Sequence, residues 1–103
     1  MDFKTVAALR KYLSVKHHIP GRIRIVFDRS IMTDPKALAL VKSAPEMPDA
    51  VKKTSVNIFS KSVVIEYDAN RIPPSLLEDL VNAPTDDAAT EIVEKLYALL
   101  YDE

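Results

Sequence analysis

His17 and His18 are the side chains best suited to hold a ligand. A neutral imidazole binds zinc, copper, nickel or haem iron through one ring nitrogen, and these are the 2 histidines of a chain that has no cysteine. They open the stretch HHIPGRIRIVF, residues 17 to 27. Adjacent residues on an extended segment point to opposite faces, so the two rings do not converge on one ion unaided. A metal at His17 would need further ligands from elsewhere in the chain or from a second copy. In the competing reading His17 forms a hydrogen bond at the strand entrance and His18 is solvated. Met32 offers a soft thioether, although methionine more often fills irregular gaps in a core.

The basic residues around this stretch admit two readings as well. Lys16, Arg22 and Arg24 could form an anion-binding or partner-binding face. Alternatively the arginines form a cross-strand ion pair with Glu66, worth roughly 0.2–1 kcal/mol. Catalysis finds less support. No serine lies in a nucleophile-elbow context, and Asp28, Asp34, Asp49 and Asp68 fall in turns and caps where short carboxylates accept backbone N–H groups. The expectation is that the chain is not an enzyme.

Composition narrows the classes further. A chain of 103 residues, 48% hydrophobic, suits one domain over 1–103 with one core. With 14 Lys and Arg against 15 Asp and Glu, it carries no field that would draw it to nucleic acid. Without cysteine there is no disulfide framework and no thiolate site. The single glycine, Gly21, cannot build a phosphate-cradling loop, which sets ATP-type and NAD-type ligands aside. The amino-terminal run lacks the unbroken apolar stretch of a signal peptide, and no segment reaches the ~20 apolar residues of a membrane span. A cytoplasmic location is expected.

The elements that must position the histidines follow from periodicity. Phe3, Val6, Ala7, Arg10 and Leu13, widened by Leu9 and Tyr12, predict an amphipathic helix over 1–15. From Arg22 the period becomes two, with Ile23, Ile25 and Phe27 on one face of a strand. Asp34 and Pro35 start a helix that ends at Pro45, and SVNIF and SVVIEYD form a hairpin about Ser60 and Lys61. Pro73 and Pro74 open a short helix closed before Pro84. A last helix over 85–101 is capped by Thr85 and carries Ala89, Ile92, Val93, Leu96, Leu99 and Leu100 as its apolar stripe. Without the terminal helices the order is β-α-β-β-α. This is an α+β, ferredoxin-like split βαβ whose usual last strand is absent.

HHIPGRIRI, the segment EMPDAVKKTSVNIFSKSVVIEYD and the leucine-rich helix after RIPPS together resemble the cysteine-poor branch of the heavy-metal-associated domain family. The matching positions are His17, Pro20, Gly21, Arg22, Arg24, Asn57, Tyr67 and Asp68, and the resemblance covers roughly residues 16–82. It implies a ferredoxin-like core and a non-enzymatic accessory role in metal or haem handling. Such domains occur alone or ahead of heavy-metal P-type ATPases, which makes a transport ATPase the implied partner. Metal-carrying members hold a cysteine pair in the loop after the first strand. Here that loop reads DRSIMTDP, with Met32 as its only sulfur, so the fold carries over and the thiolate ligand set does not.

The absent strand bears on assembly. It would leave Arg22 to Phe27 at a sheet edge, to be covered by a terminal helix or paired with a second copy in a dimer. The apolar stripes of the terminal helices must likewise pack on one another or form a dimer interface. A ligand-free interaction or dimerisation module is therefore the alternative to a metal- or haem-binding domain.

Overall fold

A two-residue turn organises the sheet. Pro20 and Gly21 join β1 (Leu13–Ile19) to β2 (Arg22–Phe27) as an antiparallel hairpin in a computed structural model that describes residues 3–37, 39, 49–57 and 59–101. Proline pre-sets the first turn position, and Gly21 takes φ 94°, which an L side chain resists. β3 (Val51–Asn57) and β4 (Ser62–Tyr67) form the second hairpin, with Lys61 at φ 52° in its turn. Among the described residues these strands make one sheet of order β1-β2-β4-β3, antiparallel throughout.

The helices α1 (Phe3–Leu9), α2 (Pro74–Val81) and α3 (Asp86–Tyr101) cover one face of that sheet. Ile23 and Ile25 of β2 and Val63, Ile65 and Tyr67 of β4 alternate inward. They meet Phe3 and Val6 of α1, Leu77, Leu80 and Val81 of α2, and Ala89, Val93 and Leu96 of α3. A smaller cluster of Leu9, Ile31 and Ala37 seals one end. The opposite face of the sheet has no helix on it among the described residues.

The α+β, ferredoxin-like architecture agrees with the expectation, as do the caps. Asp34 Oδ1 accepts from the N–H groups of Lys36 and Ala37, and Thr85 Oγ1 accepts from that of Ala88. The helix expected to run on to Pro45 begins at residue 35, but its body, with Met47, lies outside the described residues, as does Ile58.

The amino terminus corrects the reading. The helix expected over 1–15 ends at Leu9, passes through a 3₁₀ turn at Arg10–Tyr12 and becomes a strand at Leu13. Leu13 fits the helical stripe, but with Val15 it also fits a period of two, and pairing with Phe27 and Ile25 settles the choice. The edge expected at Arg22 to Phe27 is consequently filled. β1 lies beside β2, in the place a ferredoxin-like sheet gives its last strand, supplied here from the amino-terminal side. A dimer through an exposed Arg22 to Phe27 edge loses its premise. β1, the edge in its stead, carries a bulge at Lys16 and ends at Pro20, features that discourage further pairing.

The terminal helices pack on each other. The rings of Phe3 and Tyr97 lie 5.9 Å apart, and Arg10 donates to the carbonyls of Ala7 and Ala83 and to Asp86 Oδ1 at 2.7 Å. Their stripes are buried largely within one chain, although Leu99 stays exposed.

Candidate functional site

The two histidines part company at a β-bulge. The register of β1 on β2 shifts between Val15, which faces Ile25, and His17, which faces Arg24, leaving Lys16 as the extra residue. Leu13 and Val15 lean toward the helices. Unbroken alternation would send His17 after them and His18 outward. The bulge reverses this, putting His18 opposite Ile23 on the helix side and His17 opposite Arg24 on the open face.

His18 is then enclosed, its side chain only 7% exposed. Its Nε2 lies 2.5 Å from the Tyr67 hydroxyl and its Nδ1 3.1 Å from Glu78 Oε1 on α2. The neutral tautomer protonated on Nδ1 satisfies both contacts, donating to Glu78 and accepting from Tyr67. Burial, above all, raises the Tyr67 phenol above its ordinary pKa, and the Glu78 charge acts in the same direction. The expectation of a solvated His18 is thus overturned: this is the histidine with structural partners. The reason is the bulge, which a count of alternating residues does not reveal.

His17 sits on the open face. Among the described residues it has no hydrogen-bond or ion-pair partner, and it helps line a broad basin of ≈ 810 Å³ with Ile19, Arg22, Arg24, Phe59 and Val64. Arg22 stands opposite Glu66 and Arg24 opposite Val64 on β4, as the expected strand order requires. Neither arginine closes an ion pair within 4.0 Å among the described residues. Both guanidinium groups face water beside His17. Lys16 is exposed in the bulge. Phe59 at the β3–β4 turn is 100% exposed and Ile19 is 49% exposed. The turn behind Phe59 is held by Asn57 Oδ1, which accepts from the Ser60 N–H, and by a 2.7 Å contact between the Ser60 and Ser62 hydroxyls.

Met32 stands elsewhere. Its loop is a 3₁₀ segment, Arg29–Thr33, whose start is capped by Asp28 accepting from the Ser30 N–H. Ile31 anchors it among Leu9 and Ala37, leaving Met32 partly exposed. This segment follows Phe27, three residues beyond the Arg24 that faces His17, so roughly 10 Å of strand separates the two. Tyr12 ties the loop down by donating to Asp34 Oδ2, a bond that lowers the Asp34 pKa and raises that of Tyr12. No group of three or more His, Asp or Glu poised around an ion occurs among the described residues.

The structure therefore unites His17, Arg22 and Arg24 and separates them from His18 and Met32. Sequence reasoning missed Tyr67 and Glu78 as the partners of His18. One signal was available: an inward tyrosine in the series Val63, Ile65, Tyr67 needs a polar group for its hydroxyl. No curated protein and no solved structure is significantly similar to the chain. The hairpin that sorts the two histidines, and the helices behind it, fall within residues 2–95, the span matched by the family model for heavy metal associated domain 2, and the chain belongs to that family.

Proposed function

We propose that the chain is a non-enzymatic accessory module of heavy-metal handling. It engages its ligand, a transition metal or haem, at His17 on the open sheet face and works in the cytoplasm beside a transport protein such as a P-type ATPase. The family membership supports the metal-handling part, and one observation carries the choice of site. His17 is the histidine with both ring nitrogens free of protein partners among the described residues, and it lies in the basin. The carboxylate, imidazole and hydroxyl series of Glu78, His18 and Tyr67 resembles a catalytic relay in its order. Its hydroxyl, however, belongs to a tyrosine 2% exposed, closed to any substrate, which favours a structural role.

The test is an amide NMR titration of the labelled chain with Zn(II), Cu(I) and haemin in separate series. Perturbations are expected around His17, Ile19 and Arg24 for at least one ligand and are lost in His17→Ala. Basin signals that stay in place through all three series refute the reading.

A second reading, a ligand-free docking or dimerisation module, draws on Phe59, Val56 and Ile19, large apolar side chains left in water. Sedimentation equilibrium across a hundredfold range of concentration tests the dimer. Self-association weakened by Phe59→Ser would favour it, and a single monomeric mass throughout would remove it.

A further inference from the structure

We infer that the open sheet face binds an iron porphyrin, with His17 as axial ligand and Arg22 and Arg24 receiving its carboxylates. The inference rests on the metal-handling reading above and names the chemical class of its ligand.

The argument starts from the number of donors. The chain has 2 histidines and no cysteine, and His18 has both ring nitrogens engaged inside the fold. One exposed imidazole then remains. A bare zinc or copper ion takes three or four protein ligands, which the surroundings of His17 do not supply among the described residues. A metal already held in a porphyrin brings its whole equatorial set, and a single histidine nitrogen completes an axial position. One free imidazole in a metal-handling domain suits a metal that arrives chelated.

The rest of the basin matches the rest of that ligand. Side chains stand roughly perpendicular to a sheet, so coordination by His17 lays the macrocycle parallel to the open face. Val64, Ile19 and Phe59 offer the ring apolar contacts, set among the hydroxyl and amide side chains of Ser55, Asn57, Ser60 and Ser62 that line the same basin. Phe59, fully exposed, is an aromatic ring with no packing role of its own, suited to covering one. Arg22 and Arg24 lie two residues apart on one strand face, about 6.6–6.8 Å along the backbone. Both lack a carboxylate partner within 4.0 Å among the described residues. Guanidinium groups bind carboxylates bidentately, and a porphyrin carries two propionates on one edge. An acidic peptide would also satisfy the arginines, but it would leave the free imidazole without a role.

The experiment is a spectrophotometric titration of the full chain with haemin, alongside iron-free protoporphyrin IX. Wild type is expected to saturate at one haemin per chain with a shifted Soret band and to bind the iron-free ring at least tenfold more weakly. His17→Ala abolishes the Soret shift, and the double change Arg22→Ala, Arg24→Ala weakens binding at least tenfold. Both variants keep the wild-type amide spectrum, because all three side chains point to solvent. Haemin that binds equally well in every variant is adventitious association only and overturns the inference. So does equal affinity for the two porphyrins. If Zn(II) or Cu(I) perturbs the basin while haemin does not, the inference falls and the metal-handling reading stands. If no ligand perturbs it, both fall.

Discussion

Replacing Tyr67 by phenylalanine isolates the bond that holds His18. The ring stays in the core, so no cavity opens, and what disappears is the hydroxyl 2.5 Å from His18 Nε2. A hydrogen bond between neutral groups contributes about 0.5–1.5 kcal/mol, and leaving its acceptor unsatisfied costs about 1–3 kcal/mol. With the His18 side chain 7% exposed, water can replace little of the lost contact. A loss of about 1–2 kcal/mol is expected, read in urea at neutral pH as a lower midpoint with an unchanged slope, or as a melting temperature lower by roughly 4–12 °C. Glu78→Gln should cost less, about 0.5 kcal/mol, because Glu78 is 45% exposed and solvent screens its charge. A pH series supplies an independent check. Burial raises the folded-state pKa of Tyr67 above 10.0, so its contribution is fully present below that pH and is lost as pH climbs through the raised value. Tyr12, raised by Asp34, adds alkaline loss to both proteins, so the difference between them reports Tyr67. Wild type should lose more stability above about pH 10 than Tyr67→Phe. A cost below about 0.3 kcal/mol together with identical alkaline profiles would refute the claim that this contact fastens β1 to the core.

Other substitutions probe the remaining supports. Gly21→Ala, at φ 94° and with its new Cβ 3.4 Å from the Tyr67 carbonyl oxygen, should destabilise by about 1–2 kcal/mol in chemical denaturation. Arg10→Ala frees the carbonyls of Ala7 and Ala83 and should cost about 1–3 kcal/mol by the same assay. Arg10→Lys should recover little of that, because an ammonium lacks the fork that reaches both carbonyls and Asp86. Phe59→Ser should change stability by no more than about 0.5 kcal/mol, since the ring buries nothing, while lowering haemin affinity.

How far the sequence discloses the molecule depends on which period each segment obeys. β2 and β4 read directly, because Ile23 and Ile25, like Val63, Ile65 and Tyr67, alternate without ambiguity and are buried. The cap residues Asp34 and Thr85 read directly too, since their chemistry is local. Leu9, Tyr12 and Leu13 mislead because they fit a helical stripe whether or not the helix continues. Leu9 and Tyr12 pack in the small cluster with Ile31, while Leu13 passes into a sheet. Nothing within residues 9–13 distinguishes the cases. The deciding feature is farther along the chain: the Pro20–Gly21 turn brings Ile19 directly opposite Arg22, so the residues before it run back along β2. The bulge at Lys16 has no local signature of this kind. It arises from fitting β1 between a core that takes Leu13 and Val15 and a turn fixed at Gly21.

The chain order of the sheet connects this history to the site. A ferredoxin-like sheet needs a strand beside its first, and where the chain after α2 supplies one, that strand is read in the ordinary sequence of elements. Here the position is filled from the amino-terminal side, through a turn too tight for its strands to slip by one residue. That constraint places two adjacent histidines on a strand that is a sheet edge and a wall of the core at once. One lies against Tyr67 and Glu78, the other faces Arg24 in water. His18 then fixes the strand that presents His17. Loss of the His18 contacts should loosen the hairpin and lower affinity at His17 without removing any group from the basin. The two adjacent histidines thus hold opposite duties, and their spacing alone reveals neither.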